Sequence, residues 1–154
     1  MLKKLFGLFG GKSKTPESIE DAMGMQADLF IQSFTGATAP IDASKLGFTE
    51  ASLTLVDQVL QDFYQQGVDL PEDLHYMASA YVLETARKTY GGEYQRFNEE
   101  NPFVLVMGAP DCQVGFLGME KVTKRAKNGP EDSLLFFFQG IAPLLEANKS
   151  AMLI

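Results

Sequence analysis

The chain is poor in the residues that most enzyme chemistry and most covalent scaffolds require. It holds one cysteine, Cys112, one histidine, His75, and no tryptophan in 154 residues. A lone cysteine cannot close an internal disulfide, and its free thiol suits a reducing cytoplasm. With no Cys or other His near His75, there is no zinc-type ligand set, and no run of acids has the spacing of a calcium loop. No metal, cofactor or catalytic residue is therefore expected. Basic residues are scarce as well: 13 Lys and Arg stand against 20 Asp and Glu, for a formal net charge of −7. Phosphate backbones are bound by dense Lys/Arg surfaces, so an isoelectric point near 4.7 argues against nucleic acid as a partner. No apolar stretch approaches the ~20 residues that span a bilayer.

What the chain does contain suffices for a folded core. Its 45% hydrophobic and 21% charged residues, at a length of 154, fit one globular domain. Charge is unevenly placed: residues 1–16 carry four lysines and no acid, residues 17–84 twelve acids and one lysine, and residues 85–154 eight of each sign. The acidic middle contains no run of five like charges; its acids alternate with apolar positions, as they do on the outer faces of helices. One strongly negative side is expected, able to steer a basic protein partner, with Glu17, Glu20, Asp21, Asp57, Asp62, Glu72 and Asp73 as its contact residues.

Residues 1–14 form a basic amphipathic segment and linker ahead of a domain covering 15–154. Leu2, Leu5, Phe6 and Phe9 fall at helical spacing beside Lys3 and Lys4. These six residues are the candidate contacts for an anionic membrane surface, each nearby lysine contributing about 1 kcal/mol. The same Leu and Phe side chains could instead cover an apolar patch of this chain. Gly7, Gly10 and Gly11 weaken any helix there, and the stretch is too short and too interrupted for a secretory signal. Gly11-Lys12-Ser13 lacks the first glycine and the preceding strand of a phosphate loop. Cytoplasmic placement follows, at the inner face of the membrane if this segment binds lipid.

Helix signals dominate the first ninety residues. Thr15-Pro16-Glu17 marks a start, with Ile19, Ala22, Met23, Leu29, Phe30 and Phe34 forming one stripe up to Gly36. A second helix begins at Thr49-Glu50, buries Leu53, Val56, Leu60 and Phe63, and stops at Gly67. A third runs from Pro71-Glu72-Asp73 to Gly91-Gly92, and the short connection predicts that it lies antiparallel against the second. The period then changes. Residues 93–97, 103–107 and 112–117 read as two or three antiparallel strands, the middle one apolar on both faces and hence central. Two helices follow, one over 119–127 and one from Pro130 toward Leu144 and Leu145. The expected fold class is α+β: three N-terminal helices, a small antiparallel sheet of two or three strands, and two C-terminal helices, with the helices on one sheet face.

The remaining chemistry-bearing side chains read as structural. Glu84 is expected to pair with Lys88 one turn on, His75 to be a partly exposed surface histidine, and Cys112 a small buried hydrophobe. Lys121, Lys124, Arg125 and Lys127 read as a solvated helix face near a C-terminus, where the helix dipole favours cations. An enzyme joining Glu84 and His75 in one cleft is the least supported alternative.

Three stretches together carry a resemblance: Asp42-Ala43-Ser44 leading to Ser52-Leu53 and Val56-Asp57; Ala80-Tyr81-Val82-Leu83-Glu84 leading to Gly91-Gly92-Glu93-Tyr94; and Lys121-Val122 leading to Asn128-Gly129 and Asp132-Ser133-Leu134. Over residues 42–140 the chain resembles uncharacterised small bacterial domains with the pattern D-x-S-x-x-S-L, A-Y-L-G-E, G-G-x-W and N-G-x-x-D-S-L. It departs at Leu83, where Gly is common, and at Tyr94, where Trp is common. The resemblance implies a bacterial cytoplasmic α+β domain and, by analogy of fold, an immunity-type or partner-binding role; it brings no reaction and no catalytic residues.

Overall fold

The first described helix, α1 (Ile19–Gln32), is capped by Ser18, whose hydroxyl accepts the Asp21 N–H at 3.1 Å, with Glu20 and Asp21 in its first turn. The structure, a computed structural model, describes residues 18–154. The segment 1–14 and the Thr15-Pro16-Glu17 start lie outside the described residues. α1 ends short of Gly36. The Thr35 hydroxyl and N–H both donate to the Gln32 carbonyl, at 2.9 and 3.3 Å, the acceptor the next residue of a longer helix would use, while the Ser33 hydroxyl joins its own N–H on the Leu29 carbonyl at 2.7 Å.

The second helix, α2 (Leu53–Gln66), also starts later than its sequence signal. Thr49 and Ser52 bond reciprocally, each side-chain oxygen accepting the other's N–H at 3.2 Å, so residues 49–52 form a turn before the helix. Gly67, at φ 65°, ends it where expected. The third, α3 (Glu72–Tyr90), is the centre of the molecule: Tyr76 and every position from Ala78 to Ala86 are buried. It does not lie against α2 as its short connection suggested. α1 packs along one side of it and the fourth helix, α4 (Gly118–Asn128), along another, with α2 beyond α4. Small side chains make the α1 contact close, since Ala22, Ala27, Ala78 and Ala80 are all buried and a Cβ on Gly24 would sit 3.8 Å from the Glu84 carboxylate. Phe30 on α1 meets the Tyr81 ring at 5.3 Å.

The sheet has four strands in the order β1 (Glu93–Arg96), β2 (Phe103–Met107), β3 (Val114–Phe116), β4 (Ala151–Leu153). β1, β2 and β3 pair antiparallel, with Tyr94 opposite Leu105 and Leu105 opposite Phe116. β4 lies parallel to β3, Gly115 opposite Met152, so the sheet is mixed where only antiparallel strands were expected. Tyr94, Phe103, Leu105, Met107, Val114 and Phe116 share the inner face and join the core. β2 is central and Val104 is buried on the outer face too, as its unbroken apolar run implied.

The single C-terminal helix expected from Pro130 onward is three pieces. A 3₁₀ turn (Gly129–Asp132) leads to α5 (Leu134–Gln139), capped by Ser133, and then α6 (Ile141–Glu146). Pro143 explains the second break, because it has no N–H for the Gln139 carbonyl and its ring would collide there. Asn148, at φ 50°, then reverses the chain into β4. Among the described residues no helix is long and apolar enough to cross a membrane.

Gly92 marks the point where α3 gives way to the sheet. Its φ is +109° and a Cβ would meet the Val106 carbonyl oxygen at 2.6 Å. Gly92→Ala is expected to lower stability by about 2–3 kcal/mol in urea denaturation. Gly36→Ala, with nothing within 4 Å, should change it by less than about 0.5 kcal/mol. Equal effects of the two would contradict this account of the junction.

Candidate functional site

The buried ionisable groups divide into those that build the fold and those left facing outward. Glu84 is 1% exposed on α3. Its carboxylate accepts from Arg87 Nε at 2.7 Å, from Arg87 Nη2 at 3.0 Å and from the Tyr94 hydroxyl at 2.6 Å. Arg87, three residues on, is thus the partner in place of Lys88, whose ammonium lies over the Phe48 ring, 4.9 Å from its centre. Burial opposes ionisation of Glu84, but the hydrogen bonds from Arg87 and Tyr94, with the charges of Arg87 and Lys88, outweigh it and hold the carboxyl below its ordinary value. The same burial and the adjacent carboxylate push the Tyr94 hydroxyl upward.

Two further pairs correct the solvated-face reading of the basic cluster. Arg125 Nε contacts Asp57 Oδ1 at 2.9 Å, and that oxygen also accepts the Leu134 N–H at 3.1 Å. Lys121 Nζ contacts Asp132 Oδ1 at 2.7 Å while Asn128 donates to the other oxygen at 2.9 Å, and the Lys121 bond helps hold the Asp132 carboxyl low. Arg125 and Lys121 are buried, so two of the four cations fasten α4 to α2 and to the 3₁₀ turn before α5. Lys124 reaches Glu120 at 3.9 Å, and Lys127 alone of the four is exposed without an ion pair among the described residues.

His75 is partly exposed, as expected, and its ring is held in place. Its Nε2 lies 2.8 Å from the Met119 carbonyl and 3.0 Å from the Thr123 hydroxyl. Because a carbonyl only accepts, Nε2 carries the hydrogen, and burial lowers the ring's affinity for a second proton. His75 and Glu84 are nine residues apart on one helix, which places them on opposite faces and about 13 Å apart along the axis. His75 faces α4, and Glu84 faces Gly24 and Tyr94. They share no cleft, which removes the arrangement an acid–base pair would need. Cys112 is buried, as expected.

The acids proposed as partner contacts separate into groups. Glu17 lies outside the described residues, as do Leu2, Lys3, Lys4, Leu5, Phe6 and Phe9. Glu20 and Asp21 are exposed on α1. Asp57 is the exception, its carboxylate committed to Arg125 and the Leu134 N–H. Asp62 is exposed beside Arg125 in a shallow cleft of about 370 Å³. Glu72 and Asp73 are exposed at the start of α3, next to exposed Asp69. With α2 and α1 on different sides of the α3–α4 pair, the exposed acids form an α1 group and a group around the α2–α3 turn, with Asp62 apart from both beside Arg125.

That turn borders a groove of about 490 Å³ which the sequence did not signal. Its apolar walls are Phe63, Tyr64, Val68, Leu70 and Ala126; its polar groups are Asp69, Glu72, His75, Thr123 and Lys127. Tyr64 and Val68 are 40% and 49% exposed. Gly129 sets the position of one wall, since its φ is +85° and a Cβ there would come within 2.6 Å of the Tyr64 ring. Among the described residues no cluster of His, Cys, Asp and Glu is placed to hold a metal ion. Compared with models of protein families, with curated proteins and with solved structures, the chain finds no match.

Glu84→Gln is expected to lower stability at pH 7 by about 2 kcal/mol, because the buried Tyr94 hydroxyl and the Arg87 guanidinium, 30% exposed, lose a charged acceptor. The folded carboxyl titrates below its ordinary value of 4.5. Its contribution is therefore complete above that value and is lost as pH falls through the lower folded value. Denaturation of both proteins from pH 7 to pH 3 should show the gap narrowing on the acid side; a constant gap would refute the assignment.

Proposed function

We propose that this protein is a non-enzymatic protein-interaction domain, of the kind an immunity-type inhibitor would be, that engages a basic site on another protein in the cytoplasm through its exposed carboxylates. The observation that supports this reading is the division of labour among the acids. Asp57, Glu84 and Asp132 are spent on internal pairs, whereas Asp62, Asp69 and Asp73 are exposed and make no hydrogen bond or ion pair among the described residues. Exposed acids that contribute nothing internal are free to steer and orient a cationic partner, raising the association rate more than the final affinity.

Affinity capture with the full chain at about 50 mM and about 500 mM salt tests the reading, because steering between exposed charges fades as the Debye length shrinks. A specific protein recovered at low salt should be reduced at high salt and lost with the folded Glu20→Lys, Asp62→Lys, Asp73→Lys variant. Recovery of chaperones alone under every condition would refute it.

A further inference from the structure

The seven methionines of the chain differ sharply in how far solvent reaches them. Met23, Met107 and Met119 are at most 2% exposed, and Met25 and Met77 are half-buried. Met152 is 48% exposed, while Met1 lies outside the described residues. Met152 also sits where its sulfur bears on the fold. β4 is an edge strand of three residues. At its two ends the Ala151 N–H donates to the Gln113 carbonyl at 3.2 Å and the Leu117 N–H to the Leu153 carbonyl at 3.0 Å. Side chains anchor it on both faces. Leu153 packs inward beside Gly140, where a Cβ would stand 3.4 Å from a Leu153 methyl group. Met152 lies outward across Gly115 of β3, where a Cβ would collide with its Sδ and come within 3.7 Å of Val104 Cγ2. Gly115 is thus the seat of the thioether, with Val104 beside it. So short a strand has few bonds to break and opens locally at small free-energy cost.

We propose that Met152 is an oxidation site and that its sulfur is a peroxide-sensitive latch holding β4 on β3. A lone pair of Sδ attacks one oxygen of hydrogen peroxide; the S–O bond forms as the O–O bond breaks. The proton on the transferred oxygen passes to the departing hydroxide, which leaves as water. Sulfur gives up two electrons and the peroxide takes them. The sulfoxide is polar and pyramidal, so it no longer makes the apolar contact with Gly115 and Val104 and turns to water instead. One of the two side-chain anchors of β4 is then gone, and the strand leaves β3 more often, opening the β3 edge. A methionine sulfoxide reductase restores the thioether and closes the latch. The other described methionines are shielded by packing, and the Met77 sulfur also meets the Ser33 hydroxyl at 3.8 Å.

The test treats the full chain with hydrogen peroxide, maps sulfoxides by peptide mass spectrometry and follows amide hydrogen exchange by NMR. Met152 should be oxidised before Met25 and Met77, with Met23, Met107 and Met119 last. Exchange of the Ala151 and Leu117 amides, which report the two ends of β4, should then quicken about fivefold while amides of α3 keep their protection. Treatment with methionine sulfoxide reductase should return both amides to their starting rates. Met152→Leu keeps the apolar contact without an oxidisable sulfur, so peroxide should leave its Ala151 and Leu117 amides unchanged. Met152→Gln, polar at a half-exposed position, should exchange faster at both amides before any peroxide is added. Oxidation of Met25 or Met77 at the rate of Met152 would overturn the proposal. So would complete Met152 sulfoxide with exchange at Ala151 and Leu117 unaltered, or the same acceleration in Met152→Leu, which would place the sensitive group elsewhere.

Discussion

Enclosing α3 on nearly every side is the constraint from which the rest of the structure follows. A helix buried at Tyr76 and from Ala78 through Ala86 cannot leave its polar side chains to water, so most are answered from within, the Tyr76 and Ser79 hydroxyls being those that find no partner among the described residues. Glu84 is answered by Arg87 on its own helix and by Tyr94 on β1, which ties the helix layer to the sheet at the first strand. Tyr81 is answered by the loop before α2, where its hydroxyl meets Ser52 at 2.7 Å and accepts the Phe48 N–H at 3.0 Å. Thr85 turns back onto the Tyr81 carbonyl at 2.8 Å. These bonds fix the rotation of α3 about its axis, and with it which residues face α1, the sheet and α4.

That rotation brings His75 against α4, and α4 in turn is clamped by charges. Arg125 with Asp57 and Lys121 with Asp132 draw together α2, α4 and the 3₁₀ turn before α5. Truncating one member of such a pair costs far more than the pair contributes over an apolar replacement, so these groups specify position more than they add stability. The groove follows from the clamp. α2 is held beside α4 and away from α3, which leaves the space between the α2 end, the α3 start and α4 only partly filled. The Tyr64 ring over Gly129 forms its wall.

Much of this was legible along the chain. Pro71-Glu72-Asp73, Gly67 and Gly91-Gly92 bounded their helices because caps and stops act within a turn of the residues that carry them. The both-sided apolar run of β2 announced a central strand for the same local reason. The late start of α2 and the early end of α1 were hidden by Ser and Thr side chains whose bonding depends on where the chain goes next. β4 was hidden because three residues of modest β-preference become a strand only when β3 offers an edge. Among the site residues, the exposed character of Asp62, Glu72 and Asp73 followed from helical periodicity, while the commitment of Asp57 to Arg125 did not. The groove gave no sequence signal, since Tyr64, Val68 and Gly129 come from three separate segments.

The sequence by itself determined the class of the protein, the identities of its long helices, its acidic balance and the lack of material for disulfide or zinc chemistry, all of which depend on composition or on neighbours within a few residues. The tertiary structure alone decided that α3 is central and that Lys121 and Arg125 are internal cations. It also decided that Glu84 and His75 point away from each other and that Asp69 and Glu72 border an open groove. Each of these depends on which charged group a helix meets after packing, and a Coulombic or hydrogen-bonded partner dozens of residues away leaves no trace in local periodicity.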